Sequence, residues 1–420
     1  MRHSIRNPLL LVVCGVVAAG LLADTVRLWI WYPRPLFGVT DFSAEYCAVR
    51  MVLAGHASWM YSFVHQLQCH AALGAPAGNQ NNPFLNPPSS LFLVLPFARL
   101  STAAAFRAWS LLQAFFTLGS VLWILFLERK MIRNVRPLQV AVILLAVAGS
   151  TAFALLVLEG QWDGLDVLAL GVYWWGLRRG HPLVGGGVLG ILGVMTKPHL
   201  FFGIAAFIIG TRNFKAVAAA AAGGAAAFLS GAVFGGVGSL VGFFHASVVF
   251  NPLPDSLGWL GATTSWLGQQ PASWILTGIG LFIFIMAPWG LGHAVRRDQA
   301  MLPLAFCGSV ASSLLLSPHV LVHDCILLAL PFAVLAAQSW EGVGFVHHWI
   351  CAVPLPAVAF AGWFLLVIST RYDLGNTTQA LPGRITPLVL AAIVIGCIAL
   401  IQPTFLSQKR ETPDQRTVLS

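Results

Sequence analysis

The chain has 420 residues, 58% of them hydrophobic and only 9% charged, with a mean hydropathy of +0.81. A soluble domain carries about 25% charged residues, so most of this chain's surface must face lipid rather than water. The net charge of +9 does not indicate a nucleic-acid-binding protein, because the Lys and Arg residues are scattered between apolar runs and form no basic face.

The first apolar run, about 9–31, follows Arg2 and Arg6 and resembles a signal peptide. No small-x-small cleavage site follows and the run is long enough to span, so it reads as an uncleaved first helix with Asp24 and Arg27 near its outer end. An outer segment covers 32–86. Residues 87–127 return as a short re-entrant piece, 88–100, and a full span. Spans at about 138–158 and 165–178 form an outward hairpin, and a second hairpin, 182–196 and 198–211, turns at Lys197-Pro198. Helix 214–236 leads out to a loop of about 35 residues. Helices near 273–294, 299–317, 322–338, 349–369 and 384–402 then alternate across the bilayer.

Basic clusters at Arg129/Lys130/Arg133/Arg136, Arg178/Arg179, Arg212/Lys215, Arg296/Arg297 and Lys409/Arg410 orient these spans. Placing them in the cytoplasm gives about twelve crossings with both termini inside. The expected fold is thus an all-α polytopic transmembrane bundle of about 12 helices, with short outer-face helices and a re-entrant segment. It forms a single membrane domain over 1–402 with a cytoplasmic tail over 403–420. Gly186-x-x-x-Gly190 and Gly231-x-x-x-Gly235 supply close helix contacts.

The seven Cys show no CxxC spacing, and Cys14, Cys307, Cys351 and Cys397 read as small core residues. Cys47 and Cys69 fall on the outer side, where a disulfide is allowed but nothing in the sequence calls for one. Most acidic residues also fall on that side: Asp24, Asp41, Glu45, Glu159, Asp163, Asp166, Asp255, Asp324 and Asp373. Ionisable groups gathered at helix ends point to a site at one membrane face rather than a path through the middle.

Five segments could carry chemistry. Residues 40–55 read as a short helix capped by Thr40 or Asp41 and stopped by Gly55. Asp41 and Glu45 then share a face at i, i+4, either as proton acceptors beside apolar membrane or with Asp41 as a cap alone. Asn81-Asn82-Pro83-Phe84-Leu85-Asn86-Pro87-Pro88 offers amides to a sugar, or is a rigid turn. Glu159-Gly160-Gln161-Trp162-Asp163-Gly164 suits sugar hydroxyls and ring faces, or is a solvated hairpin tip. Thr196-Lys197-Pro198-His199 places a lysine between apolar helices, to be neutralised by an anionic ligand such as phosphate or by snorkelling. In Ser317-Pro318-His319-Val320-Leu321-Val322-His323-Asp324, His319 and His323 share a face at i, i+4 if Pro318 starts a helix, to grip a phosphate or to pack.

Together these segments resemble the family 87 glycosyltransferases of the GT-C superfamily, which includes polyprenyl-phosphate-mannose-dependent mannosyltransferases. The resemblance rests on Asp41-Phe42 followed by Tyr46, Leu53-x-Gly55 and Tyr61, on Asn86-Pro87-Pro88 before Leu91, and on Gly160-Gln161. It continues with Arg178-Arg179-Gly180 leading to Lys197-Pro198, and with Ser317-Pro318 and His323, in order over 40–335. Family members often have Tyr where Asn86 stands, and His-His where His323-Asp324 stands.

The resemblance implies an inverting membrane glycosyltransferase that moves a hexose, mannose first, from a polyprenyl-phosphate-sugar donor to a lipid or glycan acceptor. It places the site at the outer face of the cytoplasmic membrane. Asp41 matches the presumed base; Glu45, Asn86, Gln161, Lys197, His319, His323 and Asp324 are expected to bind substrate. Membrane lipids are the remaining partners. No cofactor and no metal motif are expected, although a divalent ion stays open. The rival reading is a secondary transporter or flippase, which would call for two hydropathy-related halves and an ionisable pair at mid-membrane.

Overall fold

The computed structural model describes residues 8–32, 37–76, 83–128, 137–249, 256–268, 270–339 and 381–410, and every regular element among them is helical. The expected span at 349–369, the basic cluster at 129–136, Asn81, Asn82, Asp255, Glu341, Asp373 and the residues after 410 lie outside the described residues.

Helix α1, Pro8–Ile30, is followed by α2, Asp41–Leu53, a short helix where the sequence leads one to expect it. Thr40 stands at its N-cap in extended backbone but makes no side-chain cap bond, and Asp41 opens the first turn. All residues from Phe42 to Val49 are buried. Such a helix cannot be a surface amphipath; it must sit under its neighbours. Tyr46 anchors its middle by donating to Leu100 O at 2.7 Å. Helix α3, Phe63–Ala72, is tied to α2 by a Cys47–Cys69 disulfide.

Residues Pro88–Phe97 form a chain of short helical turns that includes α4, Leu91–Val94. The long α5, Thr102–Glu128, follows. This is the short-piece-plus-span arrangement expected there. The expected span at 138–158 is instead two helices, α6, Pro137–Ala148, and α7, Thr151–Glu159, bent by 55°. Ser150 creates the break by capping α7, its side chain accepting from Phe153 N at 3.2 Å.

The second expected hairpin comprises α9, Pro182–Met195, and α10, Phe202–Thr211, after α8, Asp163–Arg179. Helix α11, Phe214–Ser230, packs against α9 through glycine: a Cβ on Gly186 would come within 2.4 Å of Ala216 O, and one on Gly190 within 2.1 Å of Ala220 O. The expected loop of about 35 residues is largely helical, with α12, Gly236–Val249, and α13, Trp259–Leu267. Then come α14, Pro271–Arg297, α15, Leu302–Leu316, and α16, Ala329–Ser339. The last helix, α17, Leu381–Arg410, takes in the first residues of the expected tail.

Twelve full crossings do not emerge. Among the described residues four helices are long and apolar enough to cross, Thr102–Leu127, Phe214–Phe234, Pro271–Arg297 and Gln299–Leu316, with a fifth if the bent α6/α7 pair is one span. The remaining apolar helices, such as Pro182–Met195 and Pro198–Thr211, run only 10–17 residues, against the roughly 20 that a straight crossing needs. Among the described residues, the expected span at 138–158 is interrupted at Ser150, and the expected hairpin turn falls at Thr196-Lys197. Irregular backbone of that kind survives at membrane depth only when it is buried in protein or lines a cavity.

Candidate active site

The turn from Glu159 to Asp163 organises the site. It begins where Gly160 adopts a left-handed conformation, φ +68°, and closes α7 by donating its N–H to Leu156 O. A side chain there would also strike Phe42 Cβ at 2.7 Å, so both backbone and packing demand glycine. Trp109 Nε1 donates to Gly160 O at 2.9 Å and holds the turn from α5. Four residues of the turn then reach three other segments: α2, the Lys197 turn and the His323 turn.

Gln161 Nε2 donates to Asp41 Oδ2. Trp162 Nε1 donates to Glu45 Oε1 at 3.0 Å, with the Trp162 ring set edge-on to Trp109 at 4.8 Å. Asp163 takes the Lys197 ammonium at 3.1 Å. Glu159 Oε2 lies 3.3 Å from His323 Nδ1.

Around Asp41 and Glu45 the expectation of a shared helix face holds, but the two carboxyls differ sharply. Asp41 is half-buried, whereas Glu45 is only 3% exposed. Glu45 Oε1 accepts from Asn86 as well as Trp162, and Tyr61 OH donates to Asn86 O at 2.7 Å. Its Oε2 is buried with no hydrogen-bond partner among the described residues. Burial, reinforced by the Asp41 charge and opposed by the Trp162 and Asn86 bonds, pushes the Glu45 carboxyl up to about 8. Glu45 is thus largely a neutral acid at pH 7 that fixes Asn86 and Trp162.

A second group lies at the junction of α7, α8, α9 and the helical turn His323–Leu328. Lys197 Nζ stands 3.1 Å from Asp163 Oδ1 and 2.6 Å from Asp324 Oδ1. The Asp324 carboxylate also accepts from Leu321 N at 2.7 Å. Thr196 donates to Asp166, which is fully buried. The expectation that Lys197 awaits an anionic ligand is therefore corrected: two buried carboxylates already neutralise it, one of them 34 positions away in sequence.

His323 is retained in the site, with Nε2 3.5 Å from Asp324 Oδ1. His319 is not its helical neighbour. Pro318 does not start a helix; the chain stays irregular until His323. His319 belongs instead to a side group in which His199 Nδ1 contacts Ser317 Oγ at 2.7 Å and Ser317 Oγ donates to His319 O at 2.9 Å.

Asp163, His323 and Asp324 bring one potential metal-ligand atom each within 4.8 Å of one another. The Lys197 ammonium sits against both carboxylates, where a metal would otherwise bridge them. A divalent ion there would have to displace a paired ammonium.

Around one turn the structure gathers Asp41, the expected base, and Glu45, Asn86, Gln161, Lys197, His323 and Asp324 of the expected substrate-binding residues. Glu159, Trp162, Asp163, Asp166 and Thr196 complete it. Glu159, Trp162 and Asp163 stand in one segment the sequence already marks and Thr196 in another; Asp166, one turn after Asp163, was legible only as one of the outer-side acids.

The described residues form an all-helical, membrane-like protein with carboxylates and an imidazole gathered at helix ends. Residues 84–318, more than half of the chain, match the model of glycosyltransferase family 87, and the protein belongs to that family. The match starts after α2 and stops before His319, so Asp41, Glu45 and His323 flank it. No curated protein and no solved structure matches the chain. Family membership makes it a membrane glycosyltransferase with a sugar donor and an acceptor, rather than a secondary transporter or flippase.

Proposed function

We propose that the protein transfers a hexose, with mannose the first candidate, from a polyprenyl-phosphate-sugar donor to a lipid or glycan acceptor at the outer face of the cytoplasmic membrane. The transfer inverts the anomeric centre. The observation that carries this reading is a single turn joining a half-buried carboxylate, Asp41, to a buried imidazole, His323, through Gln161 and Glu159. An acceptor hydroxyl must lose a proton as it attacks the anomeric carbon, and Asp41 takes it. The leaving lipid phosphate needs positive charge beside it, which the His323 imidazolium supplies.

Glu45 is the poorer base, because it is buried and Oε1 is occupied by two N–H donors. The Cys47–Cys69 disulfide, on the segment that bears Asp41, supports the outer face, since disulfides persist in oxidising compartments.

The test is turnover of radiolabelled polyprenyl-phosphate-mannose by membranes carrying the wild type, Asp41→Asn or Glu45→Gln. Asp41→Asn should lose at least about a hundredfold in rate while donor binding persists. Near-normal turnover in that variant would sink the assignment. If only another polyprenyl-phosphate-hexose is consumed, mannose is replaced and the mechanism stands.

A further inference from the structure

We infer that Glu159 is a resident anion on His323 whose place the phosphate of the lipid-linked donor takes. This rests on the donor reading above.

Both His323 ring nitrogens face carboxylates, Glu159 at 3.3 Å and Asp324 at 3.5 Å, and the His323 side chain is 3% exposed. The two carboxylates are held very differently. Asp324 is 2% exposed, paired with Lys197 at 2.6 Å and bonded by Leu321 N, so it cannot leave without stranding a buried ammonium. Glu159 is 38% exposed, and His323 is the ion-pair partner it has among the described residues.

The position of Glu159 is also unfavourable in itself. It is the last residue of α7, where the helix dipole presents partial negative charge and disfavours a carboxylate. An acid placed there, on the open side of a buried imidazole, is set to be exchanged. A phosphate carries three acceptor oxygens and binds a cationic N–H at least as strongly as a carboxylate does, so it is the natural successor.

The exchange site also borders the acceptor end. Glu159 and Gln161 stand in one turn, where Glu159 lies against His323 and Gln161 donates to Asp41 Oδ2. A phosphate seated on His323 Nδ1 in place of Glu159 therefore lies on the side of the site that Asp41 serves. Glu159 keeps the imidazole charged and oriented while the donor is absent, and then yields to the donor.

The experiment titrates a polyprenyl monophosphate, with the corresponding polyprenol as the phosphate-free control, onto nanodisc-embedded wild type, Glu159→Gln and His323→Gln. Glu159→Gln should bind the phosphate about three- to tenfold more tightly, since a competing ion pair is gone. Polyprenol affinity should not change, and His323→Gln should lose the preference for phosphate. Unchanged or weaker phosphate binding in Glu159→Gln, with the wild-type preference intact, overturns the role of Glu159 alone. A wild type that does not distinguish phosphate from polyprenol overturns the donor reading, and this inference with it. A structure of the wild type with the polyprenyl phosphate bound checks the same point without a variant. Glu159 Oε2 should move beyond about 4 Å from His323 Nδ1, and a retained contact refutes the exchange.

Discussion

Asp41 and Glu45 show how two carboxyls one helical turn apart acquire opposite roles. Asp41 stays half-buried and accepts from the Gln161 amide; Glu45 is buried and meets an amide and an indole on a single oxygen. The difference has a consequence for stability against pH. Between about 4.5 and about 8 the folded protein holds a proton on Glu45 that an unfolded chain would have released. The unfolded state then binds fewer protons, so stability is greatest below the window and falls as pH rises through it. Thermal unfolding in detergent should therefore slope downward from pH 5 to 8 in the wild type and more weakly in Glu45→Gln. Identical slopes would mean that Glu45 is ionised throughout. Lys197 teaches the same lesson from the cationic side, because a buried lysine that looks unpaired along the chain is paired twice in space.

Among the elements, the α9/α11 contact is where helix packing is least forgiving. Gly190 Cα faces Ala220 O so closely that an added Cβ would lie 2.1 Å from it, and the clash is with backbone that cannot rotate away. Gly190→Ala should lower the unfolding temperature, because α9 delivers Thr196 and Lys197 to the site and would have to shift as a unit. Gly187→Ala, on the same helix with nothing within 4 Å, is the matched control and should be near-neutral or slightly stabilising. Equal effects of the two would show that the close approach contributes little. Helix α2 is the other critical element. It bears both carboxyls, and at its middle Cys47 ties it to α3 by the disulfide while Tyr46 donates to Leu100 O.

For the whole molecule, the disposition of charge proposes an orientation. Arg178 and Arg179 close α8 at one end, while Asp163 and Asp166 open it at the other beside Lys197 and Thr196. The basic end then faces the cytoplasm and the acidic end, with Cys47–Cys69, faces outward. Pro76→Cys, at an exposed position after α3, should react with an impermeant maleimide on intact cells, and Arg179→Cys only after permeabilisation. The reverse pattern would invert the topology and move the site to the cytoplasmic face.

The sequence by itself determined the membrane class, because 9% charge leaves no other solvent for the surface. It also determined the family, the short helix Asp41–Leu53, and most of the residues that meet at the Glu159–Asp163 turn. Those were legible because ionisable and amide side chains among apolar runs stand out wherever they occur, and capping and glycine signals act locally. Only the tertiary structure decided which of these groups remain open. It paired Lys197 with Asp163 and Asp324, buried Glu45 and left Asp41 half-open, separated His319 from His323, and joined Cys47 to Cys69. It also broke the apolar run 138–158, which hydropathy counts as one span, at Ser150. The physical reason is common to all of these. Hydropathy and helix signals depend on a residue and its near neighbours, whereas the cost of a buried charge depends on partners that the chain brings from 34 to 127 positions away.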